Sequence, residues 1–255
     1  MNGGRRGLGG ATCYTRRHMG KSFDPAHAAD ADGAAHEFDR FADDYDALHR
    51  VNIAASGEAP AYFAAYKRDV LGRVLGPAFA EPLLDFGCGI GNLTGLLAET
   101  FSDVHGYDPS SKSVEIAAKR AGRATFHADL AAIPHAHFGG VVLANVLHHV
   151  PRTERPALVR DIVDLLAPGG RLVVFEHNPL NPLTRRVVAA CPFDEGVELL
   201  WPWEATRLLT RAGLRDARLD YIVFFPRSLA PLRTLEPSLR FLPLGAQVVA
   251  WAAKG

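Results

Sequence analysis

The chain has 255 residues, with 28 Lys+Arg against 28 Asp+Glu, so its formal net charge is zero. That balance argues against a dedicated nucleic-acid binder and against a polybasic membrane contact. Hydrophobic residues make up 48% of the chain and charged residues 22%, near the globular average. No apolar run approaches the ~18 residues a spanning helix needs. Cys13, Cys88 and Cys191 are too scattered for a disulfide framework or a Cys-rich zinc site, which fits a reducing, cytoplasmic compartment. No apolar core precedes a small-residue cleavage site near the N-terminus, so no secretory signal is expected.

Residues 1–35 are rich in Gly, Ala, Asp and Arg and poor in large apolar side chains, which predicts a mobile arm. From residue 36 to 255 the pattern is that of one domain. Phe38, Phe41, Tyr45 and Leu48 recur at helical spacing, and a second helix fits Ala61 to Leu75, stopped near Gly76-Pro77. The period then changes. Strands are predicted at 82–86, 103–107, 125–128, 141–146, 171–175, 218–225 and 247–252. Helices are predicted at 91–100, 111–121, 157–166 and 203–212. Residues 226–246 are interrupted by prolines and carry no strong helical period. This alternation predicts a doubly wound α/β fold with a mostly parallel sheet.

In such a sheet the ligand lies beyond the carboxyl ends of the strands. There the chain reads Asp85-Phe86-Gly87-Cys88-Gly89-Ile90-Gly91-Asn92. Alternate glycines allow a tight turn and close backbone approach, and the next helix offers its N-terminus. A dinucleotide fingerprint would want glycine at 92, where this chain has asparagine, so a nicotinamide-dependent oxidoreductase is disfavoured. Asp85 would oppose a pyrophosphate but suits an ammonium group. Asp108 follows the second strand, where a carboxylate can accept ribose hydroxyl hydrogens. Asp129 and Leu130 follow the third, placed for an adenine amino group and for covering the ring. A ligand with an amino group, a ribose and an adenine but no phosphate is S-adenosylmethionine.

Residues 81–177 resemble the class I S-adenosylmethionine-dependent methyltransferases, small-molecule type. The matching segments are LLDFGCGIGNLT (83–94), VHGYDPS (104–110), HADLAAIP (127–134), VVLANVLHHVP (141–151) and LLAPGGRLVVFEH (165–177). HEFDRFADDYDAL (36–48) is similar to the N-terminal helix that many members fold over the cofactor. The resemblance implies a Rossmann-like seven-stranded sheet with its last strand antiparallel, N-terminal helices over 36–78 and a lid insertion over 178–202. It implies that Asp85, Gly87, Cys88, Gly89, Gly91 and Asn92 hold the methionine end, Asp108 and Pro109 the ribose, and Asp129 and Leu130 the adenine. Asn145 and Val146 would close the sulfonium side, with Tyr45 over the cofactor.

An oxygen or nitrogen nucleophile must lose a proton on methylation, which invites a base, and histidine suits that task near neutral pH. His148 and His149 follow the fourth strand and are the catalytic candidates; a core or helix-start role is the plainer reading. Glu176, His177 and Asn178, after the fifth strand, are candidate substrate contacts or loop caps. Arg185 is placed for an anionic acceptor and Trp201 for an aromatic pocket; each also fits a plain surface or packing role. His135 and His137, near Asp129, form at most a weak ligand cluster, so no metal is expected. The expected function is methyl transfer to an O or N nucleophile of a small molecule: a natural product, sugar or lipid-linked metabolite. The alternatives are an RNA-modifying methyltransferase and a non-catalytic cofactor-binding partner protein.

Overall fold

The structure, a computed structural model, describes residues 50, 51, 53–191, 194 and 196–255. The arm over 1–35, the helix expected over 36–48 and Tyr45 lie outside the described residues.

Seven strands form one sheet in the order β3-β2-β1-β4-β5-β7-β6. They are β1 (Leu83–Phe86), β2 (Val104–Tyr107), β3 (Thr125–His127), β4 (Phe138–Ala144), β5 (Leu166–His177), β6 (Arg215–Ile222) and β7 (Gln247–Ala253). The first five pair in parallel, and β7 runs antiparallel between β5 and β6. The seven-stranded sheet with an antiparallel last strand is therefore present as expected. The helices are α1 (Pro60–Leu75), α2 (Asn92–Thr100), α3 (Ser111–Arg120), α4 (Arg155–Leu165), α5 (Pro182–Ala189), α6 (Pro202–Arg211) and the short α7 (Glu236–Leu239).

Successive strand residues point to opposite faces, and both faces are covered, so the central strands read as continuous apolar runs. On one face Leu84, Phe86, Val141, Leu143, Leu172 and Val174 pack beneath Val159 and Ile162 of α4 and Leu209 of α6. On the other, Leu83, Val142, Val173 and Phe175 pack beneath Leu71 and Val74 of α1 and Leu97 of α2.

Several boundaries differ from the sequence expectation. β4 starts at Phe138, which is fully buried, and ends at Ala144, because Asn145 takes a left-handed φ of 61°. β5 starts at Leu166, opposite Phe138, and reaches Arg171 through a register shift across Pro168-Gly169-Gly170. β6 covers 215–222 rather than 218–225, with Asp216 at φ 55° inside its bulge and Val223 at φ 61° ending it. Residues 227–239, expected to lack helix, form a 3-10 stretch running into α7.

Two segments gather at the carboxyl edge of the sheet. After β5, Asn178 donates through Nδ2 to the carbonyls of Gly245 (2.7 Å) and Pro243 (3.2 Å), and Asn181 to that of Leu244 (2.7 Å). This stitches the start of the 178–202 segment to the chain just before β7. Glu236 accepts from the Tyr66 hydroxyl of α1 (2.5 Å) and from the backbone N–H groups of Phe224 and Phe225. Arg233 bonds Glu58 at 2.6 Å and lies 4.4 Å over the Tyr62 ring. The 226–246 segment is thereby clasped onto α1.

Candidate active site

β1 ends in the turn Gly87-Cys88-Gly89-Ile90-Gly91, with the three glycines at φ 80°, 52° and 81°. These left-handed values favour glycine. A Cβ on Gly87 would also meet Val146 Cγ2 at 2.6 Å, and one on Gly91 would meet Ala117 Cβ of α3 at 2.9 Å. The backbone of the turn thus reaches Val146 directly, joining two of the expected binding segments. Gly87 and Cys88 donate their N–H groups to the Tyr107 carbonyl, fixing the turn to the end of β2. Cys88 is buried, and burial pushes its thiol well above its ordinary pKa, so it is inert packing beneath the turn.

Asp108 holds this turn from the next strand. Its Oδ2 accepts from Gly89 N at 2.8 Å and its Oδ1 from Ser110 N at 3.0 Å, across the half-buried Pro109. Carboxylate oxygens accept more than one hydrogen bond, so capacity for a diol remains. Asp129 caps the 3-10 turn after β3 by accepting from Ala131 N at 2.9 Å, and it is exposed beside the half-buried Leu130. Asn92 is exposed at the first position of α2.

Asp85 is almost fully buried. Its Oδ2 accepts from Thr94 Oγ1 at 2.7 Å, while its Oδ1 has no partner. Burial raises its pKa to about 6, against the opposing pull of the Thr94 bond and the Lys67 ammonium. Lys67, on α1, is itself buried; its pKa falls to about 8 through burial, resisted by Glu176 and Asp85. Lys67 went unnoticed in the sequence, although it lies on the same helical stripe as Val70, Leu71 and Val74, where a lysine is out of place.

At the ends of β4 and β5 a second cluster forms. Glu176 is fully buried; it accepts from Leu147 N at 2.7 Å and contacts His148 Nδ1 at 2.6 Å. His148 Nε2 faces Asp194 Oδ1 at 3.4 Å, and His149 Nε2 faces the same oxygen at 3.5 Å. Burial opposes charge on His148, but Glu176 and Asp194 outweigh it and raise its pKa. His149 goes the other way, to about 4, through burial and the neighbouring His148 charge. The same two causes hold His177 well below its ordinary value. Its ring lies 5.1 Å from that of His148. Asp194 carried no signal in the sequence, since nothing about the 191–200 stretch marks it as returning to the histidines.

The structure brings Asp85, the glycine turn, Asp108, Asn145, Val146, His148, His149, Glu176 and His177 to one edge of the sheet. Asn178 stands there too, but it is fully buried and its side-chain amide is spent on the 243–245 carbonyls and on Leu180 N. Arg185 is exposed on α5. Trp201 caps α6 and stacks on Trp203 at 5.0 Å between ring centroids, both rings partly exposed. His137 meets Asp103 and His105 rather than His135 and Asp129.

The residues fit S-adenosylmethionine. Asp85 Oδ1 and Asn145 Oδ1, at the ends of the neighbouring strands β1 and β4, are buried acceptors without partners. Unmatched buried acceptors are costly, and a ligand presenting donors would relieve them.

Comparison with known proteins agrees. Residues 83–170 match the methyltransferase domain family. An uncharacterized methyltransferase of Anoxybacillus flavithermus is 32% identical over 102 residues, covering 39% of this chain and 48% of that protein. A trans-aconitate 2-methyltransferase of Methylobacterium radiotolerans is 36% identical over 126 residues, covering 48% of this chain and 45% of that protein. The chain thus spans about half the length of the curated relatives it matches. The crystal structure of a SAM-dependent methyltransferase from Thermotoga maritima superposes with a TM-score of 0.62 at 18% identity, over 86% of this chain and 99% of that one. Residues 83–170 are thus similar to the methyltransferase domain family, and the sheet that carries them shares its fold with the Thermotoga maritima structure.

Proposed function

We propose that this chain is an S-adenosylmethionine-dependent methyltransferase acting on an oxygen or nitrogen nucleophile of a small molecule: a natural product, sugar or lipid-linked metabolite. The observation that carries the reading is the glycine turn braced by Asp108, with the unpartnered Asp85 oxygen behind it. Asp85 receives the cofactor's ammonium group, Asp108 its ribose diol, and Asp129 with Leu130 its adenine. Asn145 and Val146 line the side where the methyl group is presented. Cys88, Asn92 and Pro109 shape the pocket through backbone placement. When bound, the cofactor supplies an activated methyl group on a sulfonium.

The protein's part is then chiefly positioning, which can contribute roughly 7–11 kcal/mol to lowering a barrier. His148 and His149, with Asp194 beside them, border the acceptor side and are the catalytic candidates there. Glu176 acts on His148 and so positions it rather than touching substrate. His177, Arg185, Trp201 and the 178–202 segment border the acceptor side. Asn178 serves there by holding the segment in place. The name of the Methylobacterium relative points to a small organic acid as acceptor for that protein, which favours the small-molecule class here. Residues 36–255 are read as one domain. Among the described residues no helix is long and apolar enough to cross a membrane. Zero net charge and scattered cysteines favour a cytoplasmic enzyme with no nucleic-acid partner.

The test is incubation with methyl-labelled cofactor and, separately, a metabolite extract, bulk RNA and protein. Label in the metabolite fraction alone is expected. Label confined to RNA would replace the small-molecule reading with RNA modification. Binding without transfer to any fraction would leave a non-catalytic partner protein.

A further inference from the structure

We propose that His148, His149 and Asp194 form a three-ligand site for a divalent transition-metal ion of the zinc class, whose open position takes an oxygen of the methyl acceptor. The site itself stands on its geometry, and the acceptor half of the statement rests on the methyltransferase reading.

Two imidazoles and one carboxylate are a donor set suited to zinc and its neighbours. The ligand atoms of the three residues lie within 4.8 Å of one another. Asp194 Oδ1 stands 3.4 Å from His148 Nε2 and 3.5 Å from His149 Nε2. These distances are long for charge-assisted hydrogen bonds, which run about 2.7–2.9 Å. They match the edge of a tetrahedron whose centre lies about 2.0–2.1 Å from each ligand, an edge of about 3.3–3.4 Å.

The surroundings are those of a metal ligand as well. His148 Nδ1 contacts the buried Glu176 carboxylate at 2.6 Å, so that nitrogen carries the proton and Nε2 is left facing the ion. A carboxylate behind a ligating histidine is the usual outer partner at such sites. Glu176 is in turn fixed by Leu147 N at 2.7 Å. The three ligands come from two separate parts of the chain, the turn after β4 and the stretch between α5 and α6, so the site closes only in the folded protein. Three protein ligands leave a fourth position, the pattern of catalytic rather than structural zinc. Both histidines follow Asn145 closely in the turn after β4, at the sheet edge where the acceptor is expected. An acceptor hydroxyl or carboxylate bound to the ion would be oriented there, and a bound hydroxyl would release its proton more readily.

The experiment uses the full chain, stripped of metal by a chelator and dialysed. Zinc binding is followed by calorimetry, and cobalt(II) by its visible absorption, which is intense when coordination is tetrahedral. S-adenosylhomocysteine binding is measured on the same samples. One equivalent of zinc is expected, with affinity reduced more than about tenfold in Asp194→Asn and in His149→Ala, while the homocysteine product still binds. Neither His149 nor Asp194 bonds Glu176, so these variants leave the Glu176–His148 contact in place, and thermal unfolding of the same samples separates lost ligation from lost folding. Glu176→Gln should weaken zinc by about 10–100-fold. Failure of the wild-type chain to bind zinc or cobalt while it binds S-adenosylhomocysteine would overturn the site. So would zinc affinity unchanged in both variants. Zinc bound through these residues with no S-adenosylhomocysteine binding would keep the site and overturn the methyltransferase reading instead.

Discussion

Asp85 is the residue on which charge, burial and function meet most tightly. It is buried to 1% exposure, yet one of its oxygens has no partner and the Lys67 ammonium is the nearby charge that lowers its pKa. Burial leaves its pKa at about 6. The carboxyl is therefore charged near pH 7 and becomes protonated as the pH falls through that value. Only the charged form attracts an ammonium group. Affinity for S-adenosylhomocysteine should therefore drop between about pH 7.5 and about pH 5, by up to tenfold for each unit below the pKa. Calorimetry across that range is the check, with Asp85→Asn as reference: the variant should bind more weakly and lose this dependence. A wild-type affinity that stays flat with pH would remove Asp85 from the ammonium contact.

Among the elements, the 226–246 segment shows how a stretch without clear periodicity still folds to a purpose. Its prolines forbid a long helix, and the chain answers with a 3-10 stretch and one short α turn. What fixes it is not an apolar face but Glu236, nearly fully buried and accepting three hydrogen bonds that tie α7, the end of β6 and α1 together. Replacing it strands two backbone donors and a hydroxyl. Glu236→Ala should therefore cost about 3 kcal/mol. Thermal unfolding should show this as a fall of about 6–12 °C. A loss below about 1 kcal/mol would mean the clasp is solvated in solution and not a determinant of how α1 is held.

At the scale of the whole molecule, the sheet was legible because burial on both faces writes strands as apolar runs between glycines, and because Asp85, the glycine turn and Asp108 fall at consecutive strand ends. The bulged starts of β5 and β6 were not legible, since the start of β5 is set by Leu166 pairing with Phe138, 28 residues earlier, on the far side of the shift at Pro168-Gly169-Gly170. The site was half legible. Residues fixed by the backbone of one turn, such as Gly87, Gly89 and Asp108, announce themselves by spacing. Residues that meet through the fold do not. Lys67 reaches Asp85 and Glu176 from a helix before the sheet begins, and Asp194 returns to His148 and His149 from a stretch with no motif. Asn178 shows the reverse case: a polar residue at the right strand end whose hydrogen bonds turn out to serve the chain itself.

The central claim is that the edge formed by β1, β2 and β4 binds S-adenosylmethionine, and thermal unfolding with S-adenosylhomocysteine tests it most directly. A ligand at ~100 times its dissociation constant stabilises by roughly 2.7 kcal/mol. For a chain of this size that is a rise in Tm of about 5–10 °C. The account predicts that rise with the homocysteine product, none with NAD, and its loss in Asp108→Ala, which removes both the proposed diol acceptor and the brace on Gly89. No rise in the wild-type chain, or a rise with NAD instead, would contradict it.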